Sequence, residues 1–413
     1  MATPASGGSR LVAITRPLDR DVDVAAVAGA GGLLFARADG TSLGGRGEAV
    51  RLPLADAAAA LAAADVDDPV ARPGSGPVAV GALPFRPGAP ADLVVPATAV
   101  VRSADGTTWL TTVGTEAAPP PDPATIDLDA LVALAPPPPG PGRFDVASAR
   151  PPADWCAAVA DATARIRDGQ LEKVVLAREI VVTADAAIDV AAVVRRLRLG
   201  FPGCYVYLVD GFVGASPELL VAREGSEVRS QPMAGTAPRR GDPVADADAV
   251  ARLQASTSYR HEHQVTIDAV YDALVPFCSY LDFEAEPSVV ALPNVTHLAT
   301  TVAGQLSSPP PSVLDLVAAL HPTPAVCGRP REAALAVIDE LEGFDRGPYA
   351  GAVGWTDRHG HGEWAVAIRS AVIDGTTARV FGGNGIVGDS DPPTELTETR
   401  AKLQAILGVL VRP

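Results

Sequence analysis

Cysteine is scarce in this chain: four among 413 residues, Cys156, Cys204, Cys278 and Cys327, far apart and with no Cys-x-x-Cys spacing. That excludes a zinc knuckle and a compact disulfide framework, and leaves four scattered buried thiols of a reducing compartment as the expectation. Positive charge is also short. Lysine and arginine number 33 against 49 acidic residues, a formal net charge of −16, which repels phosphate backbones and argues against nonspecific nucleic-acid binding. An anionic ligand would need local cations acting within the Debye length, roughly 8 Å at physiological salt. No stretch approaches the ~20 apolar residues of a membrane span, and the opening Met-Ala-Thr-Pro-Ala-Ser-Gly-Gly-Ser-Arg has no apolar segment of signal-peptide length. The expectation is a soluble cytoplasmic protein with neither nucleic acid nor membrane as a partner, acting as a monomer.

What the chain does have is apolar content, 47% of its residues, enough to bury a large core in one big domain or two ordinary ones. The first ~115 residues read as short strands and turns with an Ala-rich helix near 55–64. Residues 117–152 are dense in proline, including Pro136 to Pro139, which suits an extended connector. The main boundary is placed near 145, dividing an N-terminal part, 1–145, from a second part, 146–413. Beyond it the patterns predict a helix over 154–170 capped by Asp154, a strand opening at Lys173, and a meander over 205–229 turning at Asp210-Gly211 and Glu224-Gly225. One long helix is expected over 246–274, with Glu262, Val265, Thr266, Ala269 and Ala273 on a shared face. A strand around 296–306, helices over 313–320 and 331–341, and strands near 350–356 and 363–373 follow. The chain then enters a glycine-rich loop, Gly-Gly-Asn-Gly-Ile-Val-Gly, before a last helix capped by Asp391 with Pro392 in its first turn. Strand pairs interleaved with helices suggest an α+β fold of two stacked, mainly antiparallel sheets flanked by helices.

Isolated acids in apolar or small-residue settings draw attention: Glu218 in Ser-Pro-Glu, Glu262 in Arg-His-Glu-His, and Glu395 and Glu398 in Thr-Glu-Leu-Thr-Glu-Thr. On the last helix Glu395, Glu398 and Lys402 form one stripe. It suits a magnesium ion and a substrate carboxylate, although acids at a helix N-terminus paired with a lysine explain the same spacing. His261 and His263 point about 200° apart on a helix, unlike the four-residue spacing of a zinc pair, so zinc is rejected. Hard oxygen ligands suit magnesium instead. Burying Lys173 would disfavour its ammonium and so favour a base, while burying Glu218 would keep it protonated as an acid; a surface lysine and a turn glutamate are the plainer readings. Arg369, among apolar neighbours, fits either a buried salt bridge or a substrate carboxylate.

Taken in order, Ala-Ser-Pro-Glu-Leu-Leu (215–220), Met-Ala-Gly-Thr (233–236), Arg-His-Glu-His (260–263), His-Leu-Ala-Thr (297–300), His-Pro-Thr-Pro-Ala (321–325), Gly-Ala-Val-Gly-Trp (351–355), Ala-Ile-Arg (367–369) and Gly-Ile-Val (385–387) resemble the chorismate-utilising enzymes, isochorismate synthases in particular, over roughly residues 150–410. The resemblance implies a single large α+β catalytic fold and a magnesium-dependent isomerase moving a hydroxyl between ring positions of chorismate. By motif, Lys173 resembles the base that activates water for attack at C2, and Glu218 the acid that protonates the departing C4 hydroxyl. Glu262 and Glu398 resemble the magnesium ligands, with Glu395 acting through water. Arg369 and Tyr349 would hold the enolpyruvyl carboxylate; Lys402, Gly235, Thr236 and Gly385 would face the ring carboxylate, with His297 and Ala325 also at the substrate. Lysine at 173 implies water rather than ammonia as nucleophile, against anthranilate synthase. Ala325, where lyase members tend to carry threonine, implies isochorismate rather than salicylate and pyruvate. The chain departs from the family pattern at Ser258-Tyr259, where Lys-Asp is frequent, and at Asn384, where alanine or glycine is usual. A salicylate-forming lyase and a noncatalytic chorismate-binding protein are the alternatives.

Overall fold

The computed structural model describes residues 10–133, 140–239, 241–292 and 295–411, and within these the side chains of 238, 257–259, 261 and 262 are outside the described set. Two long N-terminal strands, Ser42–Pro53 and Asp92–Arg102, pair with each other and start two sheets. From the first, hydrogen bonding runs through Leu33–Ala36, Tyr205–Val209, Phe212–Ser216, Ser370–Asp374, Thr377–Ile386 and Lys173–Ala184. From the second it runs through Val78–Leu83, Ala352–Asp357, Gly362–Val366, Leu219–Glu224, Glu227–Gln231, Val302–Leu306 and Cys278–Phe283. Every one of these pairings is antiparallel. A separate three-stranded sheet joins Met233–Pro238, Val295–Ala299 and Ser288–Ala291.

The two sheets face each other across a shared apolar layer in which Phe35, Tyr207 and Phe212 of one meet Val80, Val353 and Ala365 of the other. Helices Val190–Gly200 and Pro392–Leu410 cover the outer face of the first sheet. Helices Leu54–Ala62, Val313–Leu320 and Arg331–Leu341 pack into the other large core. This is the expected α+β architecture of stacked antiparallel sheets with helices outside. Strand pairing crosses position 145 repeatedly: Val78–Leu83 pairs with Ala352–Asp357, and Leu33–Ala36 with Tyr205–Val209.

Several local expectations are corrected. The helix expected over 154–170 is Pro152–Arg167; Asp154 lies in its first turn rather than at the cap, because Pro152 takes the first helical position. The single helix over 246–274 is two, Pro243–Ala255 and Thr257–Leu274, divided at Ser256, whose backbone is extended. The strand expected around 296–306 is two strands in different sheets. The proline-rich connector contains a short helix, Leu128–Val132, capped by Asp127 and anchored by buried Leu131; Pro136 to Pro139 lie outside the described residues. Two of the four thiols, Cys156 and Cys278, are only partly buried.

Two further corrections shape the site. The strand expected over 363–373 breaks into Gly362–Val366 and Ser370–Asp374, with Arg369 in the left-handed region at φ 54°. The glycine-rich run is not a loop but the end of strand Thr377–Ile386, paired with Lys173–Ala184 so that Gly383, Asn384 and Gly385 oppose Ala177, Leu176 and Val175. Glycine in a strand permits close approach. A Cβ on Gly382 would stand 2.9 Å from Leu403 Cγ, so its absence lets the last helix lie tightly against the sheet.

Candidate active site

The chain crosses between the stacked sheets twice at adjacent points. Ser216-Pro217-Glu218 leads from a strand of the first sheet to one of the second, and Ala367-Ile368-Arg369 leads back. The crossings are tied together: Val366 N–H donates to the Glu218 carbonyl at 3.1 Å, and Ala215 N–H to the Arg369 carbonyl at 3.1 Å. Beside them the strand opening at Lys173, the small sheet and the last helix enclose a cavity of ≈ 630 Å³. Lys173, Glu218, Gly235, Thr236, His297, Ala325, Tyr349, Arg369, Gly385, Glu395, Glu398 and Lys402 all line it. Glu262 lies on helix Thr257–Leu274, but its side chain is outside the described residues, as are those of Ser258 and Tyr259.

Lys173 is 6% exposed and Glu218 4%, so neither the surface lysine nor the turn glutamate describes them. Burial pushes the Glu218 carboxyl up to about 8, against the opposing pull of a Met233 backbone hydrogen bond and of the Lys173 and Arg369 charges. Glu218 is therefore a carboxylic acid, with a proton to give, at neutral pH.

Arg369 lies in the cavity wall, and among the described residues it has no ion pair. Its enclosure by protein lowers it from the usual arginine range. Its Nη2 donates to His297 Nε2 at 3.3 Å. Since a guanidinium only donates, Nε2 must accept, and the ring proton sits on Nδ1, facing the Gly235 carbonyl at 3.2 Å and Thr236 Oγ1 at 3.1 Å. Burial first, then Arg369 and Lys402, push His297 down to about 3, which keeps the ring neutral. Tyr349 stacks on Phe381, centroids 5.1 Å apart and planes within 15°. Its hydroxyl lies 3.0 Å from where a Cβ on Gly383 would stand.

On the last helix, Asp391 accepts from Thr394 N–H and Pro392 opens the first turn, as the sequence predicts. Lys402 Nζ pairs with Glu398 Oε1 at 2.8 Å and donates to the Gly383 carbonyl at 3.2 Å and to Asn384 Oδ1. The amide of Asn384 donates in turn to Glu395 Oε2. Burial raises Glu395 above the usual carboxyl range. Burial also works against the charge of Glu398, but Lys402, with Asn384 beside it, more than offsets this and holds Glu398 below that range. The carboxylate oxygens here are hard donors of the kind that fit magnesium.

Sequence reasoning missed what braces these walls. Glu342 and Arg346 form a fully buried ion pair behind the cavity. Arg346 donates to the carbonyls of Val175 at 2.7 Å and Val326 at 2.9 Å, and its guanidinium stacks on Phe85, 4.1 Å from the ring centroid. Glu342 accepts from Ala177 N–H at 2.7 Å. The only sequence signal is an acid and an arginine four residues apart, which also describes any solvated helical pair.

A family model described as chorismate binding enzyme matches residues 54–411. The chain belongs to the chorismate binding enzyme family. It is 42% identical over 354 residues, 82% of this chain and 88% of the relative, to a Mycobacterium tuberculosis protein provisionally named isochorismate synthase MenF. It is 44% identical over 256 residues to Escherichia coli isochorismate synthase EntC, covering 61% of this chain and 65% of EntC. The structure of MenF, the menaquinone-specific isochorismate synthase of Escherichia coli, superimposes with a TM-score of 0.81 at 25% identity, over 99% of this chain and 96% of that one.

Proposed function

We propose that this chain is an isochorismate synthase, converting chorismate to isochorismate. The observation that carries the reading is one cavity holding a buried amine, Lys173, and a buried carboxylic acid kept protonated, Glu218, between cations suited to two carboxylates. The names borne by its relatives point the same way.

In this reading Lys173 takes a proton from water as the water oxygen bonds to C2. Both ring double bonds shift, C1=C2 to C1=C6 and C5=C6 to C4=C5, the C4–O bond breaks, and Glu218 delivers its proton to the departing hydroxyl, which leaves as water. Arg369, oriented through His297, and Tyr349 hold the enolpyruvyl carboxylate. Lys402, with the Gly235, Thr236 and Gly385 backbone region, faces the ring carboxylate. Fixing the ring between base and acid supplies the near-attack geometry on which most of the rate depends. Glu262 and Glu398, with Glu395 acting through water, would hold magnesium, whose charge offsets the ring carboxylate. Ala325, in place of a hydroxyl-bearing side chain, favours isochorismate over salicylate. The same reading has the enzyme working as a monomer in the cytoplasm on a free small molecule, its N-terminal part, 1–145, completing the fold of the catalytic part, 146–413.

Incubating the purified protein with chorismate and MgCl2 and resolving the products by chromatography tests the assignment. Isochorismate should accumulate, and Lys173→Ala and Glu218→Ala should each abolish it. Pyruvate with salicylate would establish the lyase instead, and bound but unchanged chorismate a noncatalytic binding protein.

A further inference from the structure

Asn384 is 2% exposed and is the one side chain longer than a hydrogen in the run Gly382-Gly383-Asn384-Gly385 on the cavity wall. Both ends of its amide are engaged: Oδ1 accepts from Lys402, and Nδ2 donates to Glu395 Oε2. Lys402 in turn holds Glu398 Oε1 at 2.8 Å. One amide thus closes a chain of contacts running from Glu395 through Asn384 and Lys402 to Glu398, and in each carboxylate one oxygen is committed to a protein donor.

We propose that Asn384 is a positioning residue that keeps one oxygen of Glu395 from a divalent cation and holds Lys402 back from full pairing with Glu398, and so makes the site select magnesium over calcium. The inference rests on the reading that Glu262 and Glu398 hold the cation with Glu395 acting through water. Magnesium accepts near-octahedral oxygen ligation at roughly 2.0–2.1 Å with single oxygens from carboxylates, whereas calcium takes six to eight ligands and readily uses both oxygens of one. A carboxylate whose second oxygen is held by an amide N–H suits the first ion and handicaps the second. The amide also fixes where Glu395 stands before any ion arrives. With alanine or glycine at 384, Glu395 would keep only its Ser390 hydrogen bond and could turn toward the ion, and Lys402 would lose the acceptor that draws it away from full pairing with Glu398.

The test is direct cation binding rather than turnover. Melting temperature is followed against MgCl2 and, separately, CaCl2, with chorismate present, for the wild type and for Asn384→Ala; Asn384→Gly replaces the latter should alanine prevent folding. In the wild type the half-saturating concentration of magnesium is expected to be the lower. In the variant the magnesium affinity should fall on the order of tenfold, the scale of a lost contact to a metal ligand, and the calcium affinity should fall less, so that the preference shrinks or inverts. An unchanged ratio of the two affinities in the variant, or a wild type without preference, overturns this inference and leaves the assigned function standing. A wild type that binds neither ion overturns the metal assignment and this inference together.

Discussion

Replacing Glu218 by glutamine should destroy activity while making the protein more stable, by an amount that grows with pH. The native carboxyl holds its proton up to about 8, against a usual value of 4.5. Folded-state proton affinity is raised, so between these limits the folded protein binds a proton that the unfolded chain has already lost. Unfolding stability must then fall as pH rises, at ~1.4 kcal/mol per pH unit. From 4.5 to pH 7 this amounts to roughly 3 kcal/mol. Below 4.5 both states are protonated and the penalty vanishes; above about 8 both are ionised and it stops growing. Glutamine has nearly the same shape, carries no charge, and is free of this penalty. Urea unfolding of wild type and Glu218→Gln at pH 5, 6, 7 and 8 should therefore give a stability difference that widens steadily in favour of the variant. The same carboxyl must be protonated to act as an acid, so wild-type kcat should decline above about pH 8, and the variant should lose roughly a hundredfold or more at every pH. A stability difference that stays flat from pH 5 to pH 8 would refute the buried-acid argument, whatever the variant's activity.

Arg369→Lys keeps the charge but not the planar fork, and should cut kcat/KM for chorismate on the order of tenfold to a hundredfold, mainly through KM, with melting temperature little changed. Glu342→Ala strands the buried Arg346 charge and should destabilise the fold by about 3–5 kcal/mol, read by urea unfolding. Gly382→Ala places a Cβ 2.9 Å from Leu403 Cγ and should cost about 1–3 kcal/mol, with activity lowered as the last helix is pushed off the sheet.

The ends of elements were legible wherever a local rule acts alone. Asp391 before Pro392 marked the start of the last helix, and the Asp210-Gly211 turn, with both residues at positive φ, marked its hairpin. The ordered motifs named thirteen candidate site residues, and twelve of them line one cavity. What escaped were the places where the chain leaves one sheet for another. Periodicity runs on unbroken from Glu363 to Ile373 and from Thr296 to Leu306, because both flanking strands are apolar, and nothing local announces that Arg369 or Thr300 stands between sheets. The glycine run failed for a related reason. Glycine reports conformational freedom or close approach, and the sequence does not say which; here Leu403, far along the chain, decides it.

Glu342 and Arg346 carry that point into the chemistry. Four residues apart at a helix end, they read as a solvated pair worth a few tenths of a kcal/mol, yet they lie buried with Arg346 bonded to the backbone of Val175 on one cavity wall and Val326 on another. Val175 is two residues along the strand from Lys173, and Val326 follows Ala325. The pair therefore ties the wall that carries Lys173 to the wall that carries Ala325. A change there, remote from any reacting atom, should disturb the alignment of water and ring before it disturbs binding. Loss of kcat with KM retained in a conservative Arg346→Lys variant, at pH 7 and below its melting temperature, is the expected signature. An equal loss in both parameters would mean that the pair supports the fold alone.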